Sequence, residues 1–298
     1  MIDHAVLRKT FAYSPQQPAT CIFRSAEITH LLSSGLLPIE GQGLDLGCGD
    51  GQVTRILRGH LNATWEVVGL DPDAKELELA KSLGGYRALL CSEGQMIDAP
   101  SASFDFVFSN SVLEHIPELD PVFTEVSRVL KTNGKFIFTV PSSEFHQCLA
   151  GPALSGWLAT GETDRNRYRE ALDRRLNHLR YWDIGDWQRL LSVHGFSLEH
   201  SSEYLRPKEL RLWETISNLT SGILFRLKGS VVRPIEIQRS LGVRRLVLPT
   251  WISFLATILQ AWIQLRLRTL NVSSDSKNVR GACLLILGRK MSYAPLNQ

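Results

Sequence analysis

Residues 44–51, with the sequence Leu-Asp-Leu-Gly-Cys-Gly-Asp-Gly, constrain the fold of this 298-residue chain more than any other stretch. A short apolar run ends in three glycines at alternate positions, and amphipathic residues follow. This order predicts a buried strand, a tight turn and the first turn of a helix. Glycine tolerates positive φ, and the exposed N–H groups at a helix start suit an anionic or polar ligand. The turn alone leaves a dinucleotide phosphate open as its ligand.

An acidic residue follows the second predicted strand. Residues 65–70 form that strand, and Asp71-Pro72-Asp73 comes directly after it. An acid about 20 residues beyond the glycines, at the end of the second strand, is placed to accept both hydroxyls of a ribose. The glycines are spaced Gly-x-Gly-x-Gly, and Asp45 stands two residues before the first. Its carboxylate is a poor neighbour for a pyrophosphate and a good partner for a cationic amino group, directly or through water.

These two sites together resemble those of the class I S-adenosylmethionine-dependent methyltransferases. The resemblance implies that the glycine turn holds the methionyl part of S-adenosyl-L-methionine, that Asp71 holds the ribose and that Glu93 bonds the adenine amino group. Residues 109–115 resemble the segment after strand four that flanks the sulfonium. The cofactor-binding residues expected are Asp45, Gly47, Cys48, Gly49, Gly51, Asp71, Pro72, Glu93, Gly94, Gln95 and Asn110. No metal site is expected, because the five cysteines are scattered and form no Cys-x-x-Cys pair.

Strands and helices alternate along residues 44–140, which predicts a parallel sheet with helices on both faces. The resemblance implies an α/β, doubly wound Rossmann-like sheet that is mostly parallel, with an antiparallel last strand. A final strand is legible at 281–288, far from its expected partner in the chain. We therefore expect an N-terminal helical cap at 1–40, a methyltransferase core at 41–204 and 281–290, and a helical insertion at 205–280.

The centre of the insertion, residues 246–265, contains no charged residue and is bracketed by arginines. A helix of that length reaches about 30 Å, the thickness of a bilayer core. Its polar residues nevertheless fall on one stripe, from which a single lipid-surrounded span gains nothing. Several roles stay open for this insertion: peripheral membrane contact through 207–265, packing in a helical subdomain, a lid, a dimer contact and a true membrane span. The stripe consists of Thr250, Ser253, Thr257, Gln260 and Gln264.

A hydroxyl acceptor requires a base, and His115, His146 and His178 have a suitable ordinary pKa. Residues 177–183 resemble a segment of small-molecule methyltransferases in which a histidine and a tyrosine, here His178 and Tyr181, line the substrate pocket. Residues after the fourth strand lack the Asn-Pro-Pro-Tyr run that marks amino-group methylation in related families. The expected reaction is methyl transfer to a hydroxyl or carbon of a small molecule. A glycan-pathway sugar and a prenylated or lipid-linked acceptor are the leading substrates, and a non-catalytic cofactor-binding sensor or partner subunit is the alternative.

The formal charge of +3 argues against a strongly electrostatic nucleic-acid binder. Residues 1–4 lack the basic and apolar blocks of a signal peptide. We therefore expect a cytoplasmic protein, with peripheral attachment to the inner membrane face and a homodimer left open. Residues 163–180 are dense in charge and predict a solvated helix or a lid with arginines for an anionic group.

Overall fold

A seven-stranded sheet organises the protein. The computed structural model describes residues 2–151, 162–227, 234–240, 242, 250–272 and 280–292. The strand order is β3-β2-β1-β4-β5-β7-β6. The strands are β1 (Gln42–Leu46), β2 (Glu66–Asp71), β3 (Ala88–Cys91), β4 (Phe104–Asn110), β5 (Leu130–Pro141), β6 (Phe196–Tyr204) and β7 (Cys283–Lys290).

The pairing within the sheet confirms the predicted fold class. Strands β1 to β5 pair in parallel, with Leu44 opposite Val68 on one side and Val107 on the other. The last strand, β7, runs antiparallel to β5. Because the order reverses at β1, the crevice between the carboxyl ends of β1 and β4 is the switch point where such sheets bind ligands.

Helices connect the strands, and their ends follow local sequence chemistry. The side chain of Asp73 accepts the N–H of Lys75 at 3.0 Å and begins α4, which ends at Gly84. The helices are α1 (His4–Tyr13), α2 (Pro18–Ser34), α3 (Gln52–Leu61), α4 (Ala74–Leu83), α5 (Asp120–Val129), α6 (Phe145–Cys148), α7 (Glu162–Leu176), α8 (Ile184–Val193), α9 (Pro207–Leu219), α10 (Ser221–Leu227), α11 (Pro234–Ser240) and α12 (Thr250–Val272).

The chain separates into two compact units. The sheet unit comprises His30–Ser143, Arg180–Glu203 and Cys283–Gln298, and the helical unit comprises Met1–Thr29, Glu144–Leu179 and Tyr204–Ala282. The domain boundaries expected from the sequence stay a prediction.

Aromatic side chains fill the core of the sheet unit. Phe123 of α5 stacks on Trp187 of α8, with ring centroids 6.5 Å apart, and packs edge-on against Phe136 of β5 at 5.3 Å. All three side chains are fully buried. Burial of such large apolar surfaces is the dominant favourable term in folding, so these residues fix α5 and α8 against the sheet.

A buried carboxylate organises part of the helical unit. Glu214 of α9 accepts the N–H of Ala150 at 2.6 Å and that of Gly151 at 3.2 Å. It also accepts the hydroxyl of Tyr168 on α7 at 2.6 Å, and Asn218 donates to the same hydroxyl at 2.9 Å. A buried carboxylate with three donors is well satisfied, so this cluster fastens the chain after α6 to α7 and α9.

The predicted helix over 246–265 is present from Thr250 onward, whereas residues 246–249 lie outside the described part of the chain. Of its polar stripe, Thr257 is exposed and Gln260 and Gln264 are half-buried, while the side chains of Thr250 and Ser253 lie outside the description. Among the helices that the structure describes, we find none with the length and apolar character needed to cross a membrane.

Candidate functional site

The glycine turn joins β1 to α3 and is fastened to β2. The N–H groups of Gly47 and Cys48 both donate to the carbonyl of Leu70, at 2.8 and 3.0 Å. Gly47 has a φ of +78°, and a Cβ there would lie 2.4 Å from the side chain of Val112. Glycine is therefore required at this position for both backbone conformation and space. Gly51 closes the turn by donating to the carbonyl of Cys48 at 3.0 Å.

Asp71, at the carboxyl end of β2, lies against the turn. Its Oδ2 accepts the N–H of Gly49 at 2.9 Å, and its Oδ1 accepts the N–H of Asp73 at 2.9 Å. Burial raises the pKa of Asp71, and the two backbone donors oppose that rise. The carboxylate therefore bridges the turn and the start of α4, and the sequence-predicted pair of sites lies in direct contact.

Gly49 is the open point of the turn. It has a φ of +52°, and a Cβ placed there would meet no heavy atom within 4 Å. A ligand can therefore approach the backbone at this residue more closely than at a residue with a side chain.

Asp45 lies beneath the turn and is 3% exposed. Its Oδ2 accepts the hydroxyls of Thr54 at 2.5 Å and of Tyr86 at 2.6 Å. Burial raises the pKa of Asp45 to about 7, although both hydroxyl donors lower it. The sequence predicted Asp45 to be a partner for a cationic amino group, but it did not reveal Tyr86, which is 41 residues away.

The turn after β3 contains the predicted adenine contacts. Glu93 is exposed, and its Oε2 accepts the side-chain amide of Gln95 at 2.6 Å. Gly94 between them is half-buried, and a Cβ there would lie 3.0 Å from Leu46 of β1. Pro72, after β2, accepts the Cys91 thiol through its carbonyl at 3.7 Å. The residues expected around the adenine therefore follow the carboxyl end of β3, and the adjacent Cys91 contacts Pro72 at the end of β2.

The end of β4 is tied to β5 through Thr139. Its hydroxyl donates to Oδ1 of Asn110 at 3.0 Å, and its carbonyl accepts the N–H of Ser111 at 3.1 Å. Thr139 was missed by sequence reasoning, because a single buried threonine in a strand gives no local signal. The Asn110 side chain is consequently held in a fixed orientation at the switch point between β1 and β4.

Two of the four candidate catalytic residues lie in the sheet unit. His115 ends a short 3-10 turn, and its Nε2 is 4.0 Å from Oε1 of the buried Glu114. Arg180, the residue before Tyr181, donates to the carbonyl of Leu113 at 2.5 Å in the same turn. The structure thus brings the segment containing Tyr181 to the turn containing His115.

The other two candidates lie together in the helical unit. Nε2 of His146 is 2.9 Å from Oδ1 of Asp173, which follows it by 27 residues. The N–H of His178 donates to the carbonyl of Asp173 at 3.2 Å. The ring of Phe145 lies edge-on to both imidazoles, with centroid distances of 6.1 Å to His146 and 5.8 Å to His178. The sequence did not indicate the pairing with Asp173.

The chain is similar to known methyltransferases in sequence and structure. Residues 44–138 match the family model for a methyltransferase domain. An uncharacterized methyltransferase of Schizosaccharomyces pombe is 34% identical over 181 residues, 57% of this chain and 66% of that protein. A malonyl-[acyl-carrier protein] O-methyltransferase of Legionella pneumophila is 30% identical over 202 residues, 67% of this chain and 63% of that protein. A demethylmenaquinone methyltransferase of Lactobacillus johnsonii is 36% identical over 98 residues, 31% of this chain and 40% of that protein.

The comparison with solved structures agrees with the sequence comparison. A solved structure from Bacillus halodurans, described as a methyltransferase, superposes with a TM-score of 0.51 at 18% identity and covers 89% of this chain and 99% of that one. The chain contains a methyltransferase domain at residues 44–138 and has the fold of the class I S-adenosylmethionine-dependent methyltransferases. The matched regions cover 66%, 63% and 40% of the lengths of the three curated relatives, less than two thirds in each.

The residues of this domain fit S-adenosylmethionine, the methyl donor of the class I methyltransferases. The backbone is open at Gly49, and the carboxylate of Asp71 is fixed beside it by two N–H groups. An open glycine backbone suits close approach of the methionyl part, and a fixed carboxylate suits a pair of ribose hydroxyls. Asp71, Gly47, Gly49 and Gly51 are the residues that would form this cradle.

Proposed function

We propose that this methyltransferase transfers a methyl group from S-adenosyl-L-methionine to a hydroxyl or carbon of a small molecule. The observation that carries the proposal is the hydrogen bond between the Gly49 N–H and Oδ2 of Asp71, 2.9 Å long, at the carboxyl ends of β1 and β2. It joins the residue that would bind the methionyl part of an adenosyl-amino-acid to the residue that would bind its ribose. A glycan-pathway sugar and a prenylated or lipid-linked molecule are the acceptor classes proposed.

The names of two relatives support an oxygen acceptor and a prenylated acceptor. The Legionella pneumophila protein is named for O-methylation, and the Lactobacillus johnsonii protein is named for demethylmenaquinone, a prenylated quinone. An oxygen acceptor and an apolar, prenylated acceptor are therefore both represented among proteins similar to this chain.

Methyl transfer from a sulfonium requires little covalent chemistry from the protein. S-adenosylmethionine, when bound, supplies an electrophilic methyl group for an in-line displacement. The protein must align the acceptor with that group and exclude water. The backbone at Gly49 and the carboxylate of Asp71 would orient the donor, while the buried Asp45 supports the turn from below through Thr54 and Tyr86.

A hydroxyl acceptor must also lose a proton, and His115 is the candidate base that lies in the same unit as the glycine turn. It follows the carboxyl end of β4 by five residues, and its Nε2 is 4.0 Å from Oε1 of the buried Glu114. The acceptor oxygen would take the methyl carbon from the sulfonium of bound S-adenosylmethionine, and the hydroxyl proton would pass to the imidazole of His115.

The test is a transfer screen with methyl-labelled S-adenosylmethionine against lipid extracts and water-soluble extracts. We expect label in a discrete product, and His115→Gln should lower kcat roughly 100-fold with little change in KM. His60→Gln is the matched control, because His60 lies near the end of α3, where its Nδ1 is 2.9 Å from the carbonyl of Ile56 in the same helix. Binding of S-adenosylhomocysteine without labelling of any acceptor would contradict the proposal and favour the non-catalytic sensor or partner subunit.

A further inference from the structure

An apolar stripe lies on the outward face of α12. Its members, which we call the outward stripe, are Phe254, Ile258, Trp262 and Leu265, and they are 67%, 53%, 40% and 60% exposed. The stripe extends over 12 residues, or about 17 Å along the helix axis from the first to the last. A contiguous exposed apolar surface of this kind marks an interaction site more often than a single exposed leucine does.

Helix geometry shows that the four residues of the stripe lie on one face of α12. At about 100° per residue, Phe254, Trp262 and Leu265 all fall within about 40° of Ile258 around the helix axis. The buried residues of the same helix, Ala256, Ile263 and Leu267, fall about 140–180° away. The helix therefore packs into its own unit with one side and presents large apolar side chains with the other.

Two exposed arginines flank the stripe, one on each side. Arg266 lies about 80° from Ile258 in one direction, and Arg268 lies about 80° away in the other. The guanidinium of Arg266 sits over the ring of Trp262, 5.4 Å from its centroid. An apolar face bordered by arginines and containing a tryptophan is the pattern of a helix that lies in a membrane interface.

The charge of the surrounding sequence is strongly biased. Residues 205–280 contain 13 lysines and arginines against 4 aspartates and glutamates, a formal charge of +9 in a chain whose total is +3. Such a segment is attracted to the anionic surface of a membrane. Two copies of the same segment would repel one another, so the charge argues against a second copy of this chain as the occupant.

We propose that the outward stripe docks the protein on an anionic lipid surface, with α12 lying parallel to the membrane. The stripe would enter the boundary between headgroups and acyl chains, and Arg266 and Arg268 would bind lipid phosphates on either side of it. The docking needs neither cofactor nor acceptor, so it can be tested independently of the proposed methyl transfer.

The test is cosedimentation of the full-length protein with phosphatidylcholine vesicles that contain or lack phosphatidylglycerol. We expect binding to the anionic vesicles only, weakened by added salt. Ile258→Glu should lower the partition coefficient roughly tenfold or more. Thr257→Glu is the matched control, because it adds the same charge to an exposed position outside the stripe and should bind as the wild type does.

A second variant isolates the charge contribution. Arg266→Gln combined with Arg268→Gln should lower the partition coefficient for anionic vesicles roughly tenfold or more, because each arginine near the surface adds to the attraction, while the circular dichroism spectrum stays that of the wild type. The proposal is overturned if the wild type fails to bind anionic vesicles, or if Ile258→Glu binds them as well as Thr257→Glu does. Sedimentation velocity provides a further check, because a wild-type dimer that Ile258→Glu dissociates would identify the stripe as an interface between copies.

Discussion

Replacing Asp71 by asparagine tests the cofactor site at its most constrained point. The carboxylate of Asp71 accepts N–H groups from Gly49 and Asp73, both at 2.9 Å. Asparagine has the same shape but only one acceptor oxygen, so one of these donors would face an amide NH2 instead. The variant would also lose the negative charge that we propose for binding the ribose hydroxyls.

The expected loss follows from these contacts. A hydrogen bond to a charged group contributes about 1.5–3 kcal/mol, so losing one such bond to the ribose should raise the Kd for S-adenosylhomocysteine about 10- to 150-fold. Isothermal titration calorimetry measures this directly. The free energy of unfolding without ligand should change less, because burial already raises the pKa of Asp71 and offsets part of the stabilisation from the ionised form.

Asp105→Asn is the matched control. Asp105 stands at the opposite end of the sheet, near the start of β4, and there it accepts the N–H of Gln42 at 2.9 Å and the ammonium of Lys131 at 2.7 Å. The chemical change and the loss of a backbone contact are the same, but the affinity should stay within about twofold of the wild type because the sites are far apart. An Asp71→Asn protein that binds S-adenosylhomocysteine as tightly as the wild type would refute the ribose assignment.

Three further changes have definite expected outcomes. Gly49→Ala should weaken S-adenosylhomocysteine binding about tenfold by strain and occlusion. Gly84→Ala, at a φ of +73° with no atom near its Cβ, should lower the stability and leave the affinity unchanged. Burial raises the pKa of Asp45 from 3.8 to about 7, so its contribution to stability is lost as the pH rises through that window. Urea titrations should show that the free energy of unfolding of the wild type falls by on the order of 4 kcal/mol more than that of Asp45→Asn between about pH 4 and pH 8. An equal dependence on pH in the two proteins would contradict the burial argument. Glu214→Gln should lower the free energy of unfolding by about 2–3 kcal/mol in the same assay, and the exposed Glu236→Gln by less than about 0.5 kcal/mol.

Local chemistry made the cofactor site predictable from the sequence. A strand that ends in alternate glycines can continue into very few structures, and Asp71 lies at a fixed spacing beyond it. The strands and helices of the sheet were predictable for the same reason, because hydrophobic periodicity and turn residues agree along residues 44–140.

Contacts between distant residues were not predictable. Tyr86 reaches Asp45 across 41 residues, and Asp173 reaches His146 across 27. A tyrosine or an aspartate has no local signature for such a role, and the pairing depends on how whole elements pack.

The orientation of α12 also depends on packing and could not be predicted from the sequence. Its sequence indicated a polar stripe on an otherwise apolar helix, without specifying which apolar side is buried. The packing of Ala256 and Ile263 turns the side that includes Ile258 outward. That side can be identified only once the neighbouring helices are in place.

Equilibrium binding of labelled S-adenosylmethionine to the wild-type protein, with unlabelled competitors, tests the central claim most directly. We expect one site per chain, full displacement by S-adenosylhomocysteine and no displacement by a nicotinamide dinucleotide. Displacement by the dinucleotide, or the absence of saturable binding, would contradict the assignment of the glycine turn and Asp71 to a single adenosyl-amino-acid.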